Sequence, residues 1–311
     1  YCIVQEASRY IAVWSRPLAG SWSKVRVYDP GSGVYTGATH AAPCLVSLPS
    51  GRLVALFWLY DASGSGIASS MSDDDGATWS TPQLTETVLG SAGAVVTRIR
   101  AAYLSGQILM VISTTAGGLD VLGQFASVDG GASFGLVGTL GDWAGGMGEV
   151  AVQGGAFVVV SIDPALTTTG SAVVANARRF ASAYTLGSSI TSTFLQADAS
   201  TRTWGTVAAG ALTAADLSLC VDDVGTLWVV GSNYNAGGGA LREYYTTRSE
   251  DGGSTWADTG AQSGAWWRGL DASTHPQDVS VCAQGGRLVT LGNAAQNPGT
   301  ADDSLCAYYL G

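Results

Sequence analysis

The chain of 311 residues is poor in charge: Asp, Glu, Lys and Arg make up 12% of it, and Lys24 is its single lysine. With a formal net charge of −10 it lacks the basic surface that a phosphate backbone requires, which argues against nucleic acid as a partner. Two histidines give no basis for a metal centre, and the run Asp73-Asp74-Asp75 lacks the spacing of a calcium loop, so no metal or cofactor is expected. The five cysteines are odd in number and form no C-x-x-C pair, so neither a zinc cage nor a disulfide framework follows. Cys2, Cys44, Cys220 and Cys282 each sit in a short apolar run ahead of a turn, where a thiol serves as a small hydrophobe. No apolar run reaches the roughly 18 residues of a membrane span, so no membrane insertion is expected. Long helical periods are missing, as is a glycine-rich phosphate loop leading into a helix. The chain opens on Tyr1 without Met, which predicts a processed product or a piece of something longer.

What is abundant is glycine, 43 residues, amid short alternating apolar runs, the pattern of many tightly turned strands. One spacing, S-x-D-x-G-x-T-W, occurs at Ser72, Asp74, Gly76, Thr78, Trp79 and again at Ser249, Asp251, Gly253, Thr255, Trp256. A third copy with conservative changes is Ser127, Asp129, Gly131, Ser133, Phe134. Each residue type has a task in a hairpin clasp. The Asp accepts hydrogen bonds from nearby backbone N–H groups, the Gly permits a positive φ, and the aromatic ring folds back as an apolar plug. These residues resemble the Asp boxes, or BNR repeats, of the sialidase-type β-propellers, in which the box is structural and joins the third and fourth strands of a blade.

Around the clasps a larger unit recurs six times: an apolar strand, a tight turn, a second apolar strand, a loop, a third strand and often a clasp. The expected architecture is therefore all-β, a single six-bladed propeller of four-stranded antiparallel blades whose last blade is short of its fourth strand. The approximate blade limits are 1–40, 41–92, 93–143, 144–210, 211–265 and 266–311. A lone blade cannot bury both faces, so such units stack around a common axis.

Antiparallel order puts the clasps at one end of every blade and the longer connections at the other. The longer connections are expected to carry His40, Arg98, Arg100, Asp142, Trp143, the run Trp266-Trp267-Arg268 and His275, together with Asp61. Trp266 and Trp267 beside Arg268 offer a stacking platform for a sugar or a protein, or a plug between blades. The resemblance to sialidases implies an arginine triad on the substrate carboxylate, a tyrosine nucleophile assisted by glutamate, and an aspartate acid/base. Asp61, Arg98, Arg100, Glu243 and Tyr244 are the residues that could fill those roles. The family's F-R-I-P motif is met by His40-Ala41-Ala42-Pro43, which keeps the proline and loses the arginine, while Arg98-Ile99-Arg100 lies one unit later. Inner strands also begin near Glu149, Asp216 and Asp278. Because clamp and acid do not fall in one unit, the expectation is a non-catalytic extracellular, cell-surface or virion-associated module. Its expected partners are glycans or other protein subunits of a larger assembly such as a phage tail. An exo-acting glycoside hydrolase of sialidase type is the alternative, and a purely structural propeller the second.

Overall fold

A computed structural model of the chain describes residues 1–6, 10–17, 19–28, 39–61, 64–86, 95–116, 119–139, 148–163, 174–180, 182–183, 192–194, 217–232, 244–253, 255, 257–258, 274–284, 287–296 and 303–310. They form six small antiparallel sheets, each with its strands hydrogen-bonded in chain order. The first holds β1 (Cys2–Glu6), β2 (Tyr10–Ser15) and β3 (Ser23–Tyr28). The second holds β4 (Thr39–Ser47), β5 (Leu53–Asp61), β6 (Gly64–Ser72) and β7 (Gln83–Glu86). The third holds β8 (Val95–Leu104), β9 (Gln107–Ala116), β10 (Leu119–Ser127) and β11 (Gly135–Thr139). The fourth holds β12 (Gly148–Gln153), β13 (Ala156–Asp163), β14 (Val174–Phe180) and β15 (Ser192–Phe194). The fifth holds β16 (Leu217–Val221), β17 (Leu227–Ser232), β18 (Tyr244–Ser249) and β19 (Ala257–Asp258). The sixth holds β20 (Thr274–Gln284), β21 (Arg287–Gln296) and β22 (Asp303–Leu310). The four-strand pattern thus holds in four sheets, and the first and sixth show three strands among the described residues.

The chain divides into two compact units, Tyr1–Gly141 with Ser182–Leu186, and Asp142–Ala181 with Gly187–Gly311. In the first unit β5 explains why sheets stack. Its alternate residues serve two cores: Ala55, Phe57 and Leu59 pack with Ile11, Val13 and Tyr28 of the first sheet. Val54, Leu56 and Trp58 pack with Val96, Ile99, Ile108, Met110 and Ile112 of the third. A strand buried on both faces loses the polar alternation of a surface strand, which is why LVALFWLY is apolar throughout. Ser182 and Ala183 join this unit through glutamines of the third sheet. Gln107 Oε1 accepts from the Ser182 Oγ–H (3.0 Å) and the Ala183 N–H (2.9 Å), and Gln124 Nε2 donates to the Ala183 carbonyl (2.8 Å).

The three S-x-D-x-G stretches fold into the same hydrogen-bonded loop. After β6, Ser72 Oγ donates to Asp74 Oδ1 (2.9 Å) and accepts from the Gly76 N–H (2.8 Å). Asp74 accepts from the Thr78 N–H (2.8 Å) and hydroxyl (2.6 Å), and Trp79 Nε1 closes back on the Gly76 carbonyl (3.0 Å). After β10 the pattern repeats through Ser127, Asp129, Gly131 and Ser133, with Phe134 buried. After β18 it repeats through Ser249, Asp251, Gly253 and Thr255, and Trp256 lies outside the described residues. The donors have a titration consequence. Hydrogen bonds from the Thr78 hydroxyl and N–H hold the Asp74 carboxyl below the usual carboxylate range. At Asp129 burial pushes the carboxyl up, and the bonds from Ser133, Ser127 and Ala132 together outweigh it, leaving it lowered.

Every clasp is covered by a side chain from the sheet before it. Tyr1 OH donates to the Asp75 carbonyl (2.5 Å), and its ring lies 3.1 Å from where a Cβ on Gly76 would sit. Arg52, tied to Asp73 by two bonds of 2.6 and 3.1 Å, lies over Gly130. In the second unit Arg179 lies over Gly252 and donates from Nη2 to the carbonyls of Gln153 and Gly154 (both 3.0 Å).

Candidate functional site

The strand registers separate the two ends of a sheet. In the second sheet Thr39 pairs with Tyr60 and Asp61 with Gly64 at one end, while Ser47, Leu53 and Ser72 meet at the other, next to the clasp. In the third sheet Val95 pairs with Thr115, and the clasp again starts at the far end, where Ser127 pairs with Ile108. The fifth sheet repeats this, with Ser232 opposite Tyr244 and Leu227 opposite Ser249. The end away from the clasps is where the first strand of each sheet begins.

Three of those first strands are irregular there. The register slips between Ala41 and Cys44 in β4, between Val96 and Arg98 in β8, and between Pro276 and Val279 in β20. Ala42, inside the first of these bulges, has φ of 51°, a strained value for a residue with a side chain. Bulges re-aim side chains, and in β8 the effect is explicit. The extra residue Thr97, whose Oγ1 donates to the Ser113 carbonyl (3.2 Å), lets Val96 and Ile99 both face the second sheet. Arg98 and Arg100 are thereby sent together to the opposite face. Arg98 is 9% exposed and Arg100 half-buried, with Nη1 donating to the Ile99 carbonyl (2.9 Å).

This corrects one expectation. His40, Arg98 and Arg100 are residues of β4 and β8 and do not belong to connecting loops, because the ladders extend further back than the apolar runs that marked them. Asp61 is the last residue of β5, at the same end of the second sheet as His40. Tyr244 opens β18 and His275 lies in β20. Trp143, Asp142, Glu243, Trp266, Trp267 and Arg268 lie outside the described residues.

In the second unit the corresponding position belongs to Glu149, second in β12 and 4% exposed. It shares a face with Gln153, whose Nε2 donates to the carbonyls of Gly225 (2.5 Å) and Ser249 (3.4 Å), so this face of the fourth sheet turns to the fifth. Among the described residues no group of three His, Cys, Asp or Glu could hold a metal ion. No helix among them is long and apolar enough to cross a membrane.

Two further sites stand out in the structure. Asp222, in the β16–β17 turn and 6% exposed, accepts from the N–H groups of Val224 (3.1 Å) and Thr226 (2.7 Å) and from Trp228 Nε1 (3.0 Å). Burial pushes its carboxyl up, and the bonds from Trp228, Thr226, Val224 and Gly225 outweigh this and lower it. The spacing D-D-V-G-T-L-W was the available signal, an Asx turn ahead of a strand whose tryptophan can reach back. The other is the covering pair Arg52 and Arg179, which come from a turn and a third strand and share no sequence position.

No protein-family profile and no curated relative matches the chain. Solved structures do. A Hadza microbial sialidase superposes with a TM-score of 0.56 at 14% identity, over 96% of this chain and 59% of its own. A Penicillium chrysogenum α-L-arabinanase complexed with arabinobiose gives 0.51 at 14%, covering 86% and 80%. An endo-arabinase from Bacteroides thetaiotaomicron gives 0.51 at 13%, covering 86% and 93%. The chain thus spans 59% of the sialidase's length. The expectation of a non-catalytic adhesion or virion module, and with it the leaning away from an enzyme, is overturned: the structures resembled are those of glycosidases. At these identities the likeness is one of architecture, an all-β fold of small antiparallel sheets in a propeller-like arrangement, shared with carbohydrate-active proteins.

Proposed function

We propose that the chain is a glycoside hydrolase built on a β-propeller of the Asp-box type. Its six sheets are the blades, and its chemistry sits at the end where their first strands begin. One observation carries the reading: ionisable side chains are buried at those starts, Arg98 in one unit and Glu149 in the other. Burying charge is costly, and a stable protein does it where the charge is balanced or used. Glycoside cleavage uses a carboxyl that protonates the leaving oxygen and a second group that attacks or activates water. Each unit offers one candidate carboxyl at such a strand end, Glu149 in β12 of the second and Asp61 at the close of β5 in the first. Arg98 and Arg100, on one face of β8, suit a sugar bearing a carboxylate, because a guanidinium meets a carboxylate with two parallel bonds. The fold shared with a sialidase and two arabinanases supports a glycan substrate. Action outside the cytoplasm is part of the same proposal.

The test is hydrolysis of a panel of fluorogenic glycosides comprising an α-sialoside, an α-L-arabinofuranoside and a β-galactoside. The expected result is turnover of at least one. Glu149→Gln should lower kcat by about a hundredfold or more, the usual scale of acid–base assistance, and Arg98→Ala should lower kcat/KM. A folded protein inert on all three, or a Glu149→Gln variant at full rate, removes the proposal.

A further inference from the structure

At the first-strand end of the second sheet an aromatic pair stands apart from the core. Tyr60 is 48% exposed, and its ring lies 5.5 Å from that of Trp58, tilted by 32°. The two are second neighbours on β5, so they share a face of the strand, and Trp58 supports Tyr60 from the core side while itself being 7% exposed. In the ladder Tyr60 is paired with Thr39 on one side and Ser65 on the other, both short hydroxyl residues. Trp58 Nε1–H is buried and has no acceptor among the described residues, although a buried tryptophan N–H ordinarily finds one.

We infer that Tyr60, backed by Trp58, is a stacking subsite for the apolar face of a sugar ring, so that the substrate is an oligosaccharide or polysaccharide and not a single terminal sugar. Sugar rings present C–H groups on one face and hydroxyls around the edge. An aromatic ring takes the first. Asp61, next in the chain to Tyr60, stands at the same end of the second sheet. The inference rests on the glycosidase reading for its substrate class, but its test does not need turnover.

Affinity electrophoresis through gels containing a branched arabinan, a β-1,3-galactan or polysialic acid tests it with the unmodified protein, Tyr60→Ala, Tyr60→Phe and Trp58→Phe. The expected result is retardation by at least one polymer. It should weaken roughly tenfold in Tyr60→Ala, about 1.4 kcal/mol, persist in Tyr60→Phe, and weaken in Trp58→Phe. Unchanged circular dichroism melting of Tyr60→Ala separates loss of the subsite from misfolding. Retardation by no polymer, or equal retardation of Tyr60→Ala, overturns the subsite. Retardation sensitive to Tyr60 without turnover on any fluorogenic glycoside keeps the subsite and removes hydrolysis. Turnover with Tyr60-independent retardation does the reverse.

Discussion

The clasps after β10 and β18 share their hydrogen bonds and their Asp-Gly-Gly turn, and each has an arginine from the preceding sheet lying on its first glycine. They differ in how that arginine is held. Arg52, itself half-buried, reaches the third sheet's clasp tethered by Asp73, a carboxylate that is 67% exposed. Arg179 is half-buried and tethered by two backbone carbonyls. The same cover is an ion pair open to salt in one place and a neutral-acceptor anchor in the other. The second sheet's clasp makes a third case: Asp75 takes the first glycine's position at φ of 54°, and its cover is the Tyr1 ring and hydroxyl. Its backbone shape therefore tolerates a side chain. Glycine there follows from the arginine above it, whereas the second glycine follows from the turn itself.

Substitutions can break this comparison. The largest effect is expected at Gly131, where φ is 92° and an added Cβ would sit 2.7 Å from Cγ1 of Val54, a core side chain without room to yield. Gly131→Ala should destabilise the protein by about 2–4 kcal/mol, read from denaturant melts. Gly252→Ala should cost less, about 1–2 kcal/mol, because its Cβ meets the Arg179 guanidinium, the movable end of a long side chain. A double-mutant cycle with Arg179→Ala should return a coupling of about 0.5–1 kcal/mol. A coupling of zero would show that the glycine answers to φ alone. Asp75→Gly, by contrast, should change stability by no more than about 1 kcal/mol.

Acid should act on two of the clasps and on the Asp222 turn together. The carboxyls of Asp74, Asp129 and Asp222 titrate lower in the folded chain than an unfolded aspartate, which titrates at about 3.9. A lowered folded value means stability that is complete above that pH and lost as pH falls through the folded values. Melting temperature should therefore be flat from neutrality to about pH 5 and fall below about pH 4. Asp129→Asn should blunt the fall. The smallest effect belongs to Arg52→Ala, which should leave the midpoint within error at high salt, while Arg179→Ala lowers it at any ionic strength.

Much of the sheet order was legible in the sequence because its signals are local. The clasp is four side chains and a glycine within eight residues, and each of its bonds spans four positions or fewer, so Ser72 to Trp79 carry their own geometry. The end of the strand bearing the candidate site was less legible. Arg98 and Arg100 look like loop residues because the apolar run resumes only at Ala101, and the bulge at Thr97 that turns them onto one face leaves no composition to read. Glu149 reads in the sequence as an acid at a strand start, but its burial depends on a neighbouring sheet far along the chain. Tyr60 and Trp58 read as part of one apolar run, since exposure at a strand end is fixed by what lies across the ladder. The covering residues Tyr1, Arg52 and Arg179 occupy three different places in the repeat, and no pattern search finds contacts that have no common address.

The bulges in β4, β8 and β20 have one further consequence. Beyond each slip the ladder runs on in step, from Cys44 with Leu56 to Ser47 with Leu53, and from Arg98 with Ser113 to Leu104 with Gln107. A residue gained or lost at such a point is therefore absorbed within one turn of the pleat and never reaches the shared interior. A change of sequence ahead of a slip would therefore redirect the strand end and leave the packed interior in register.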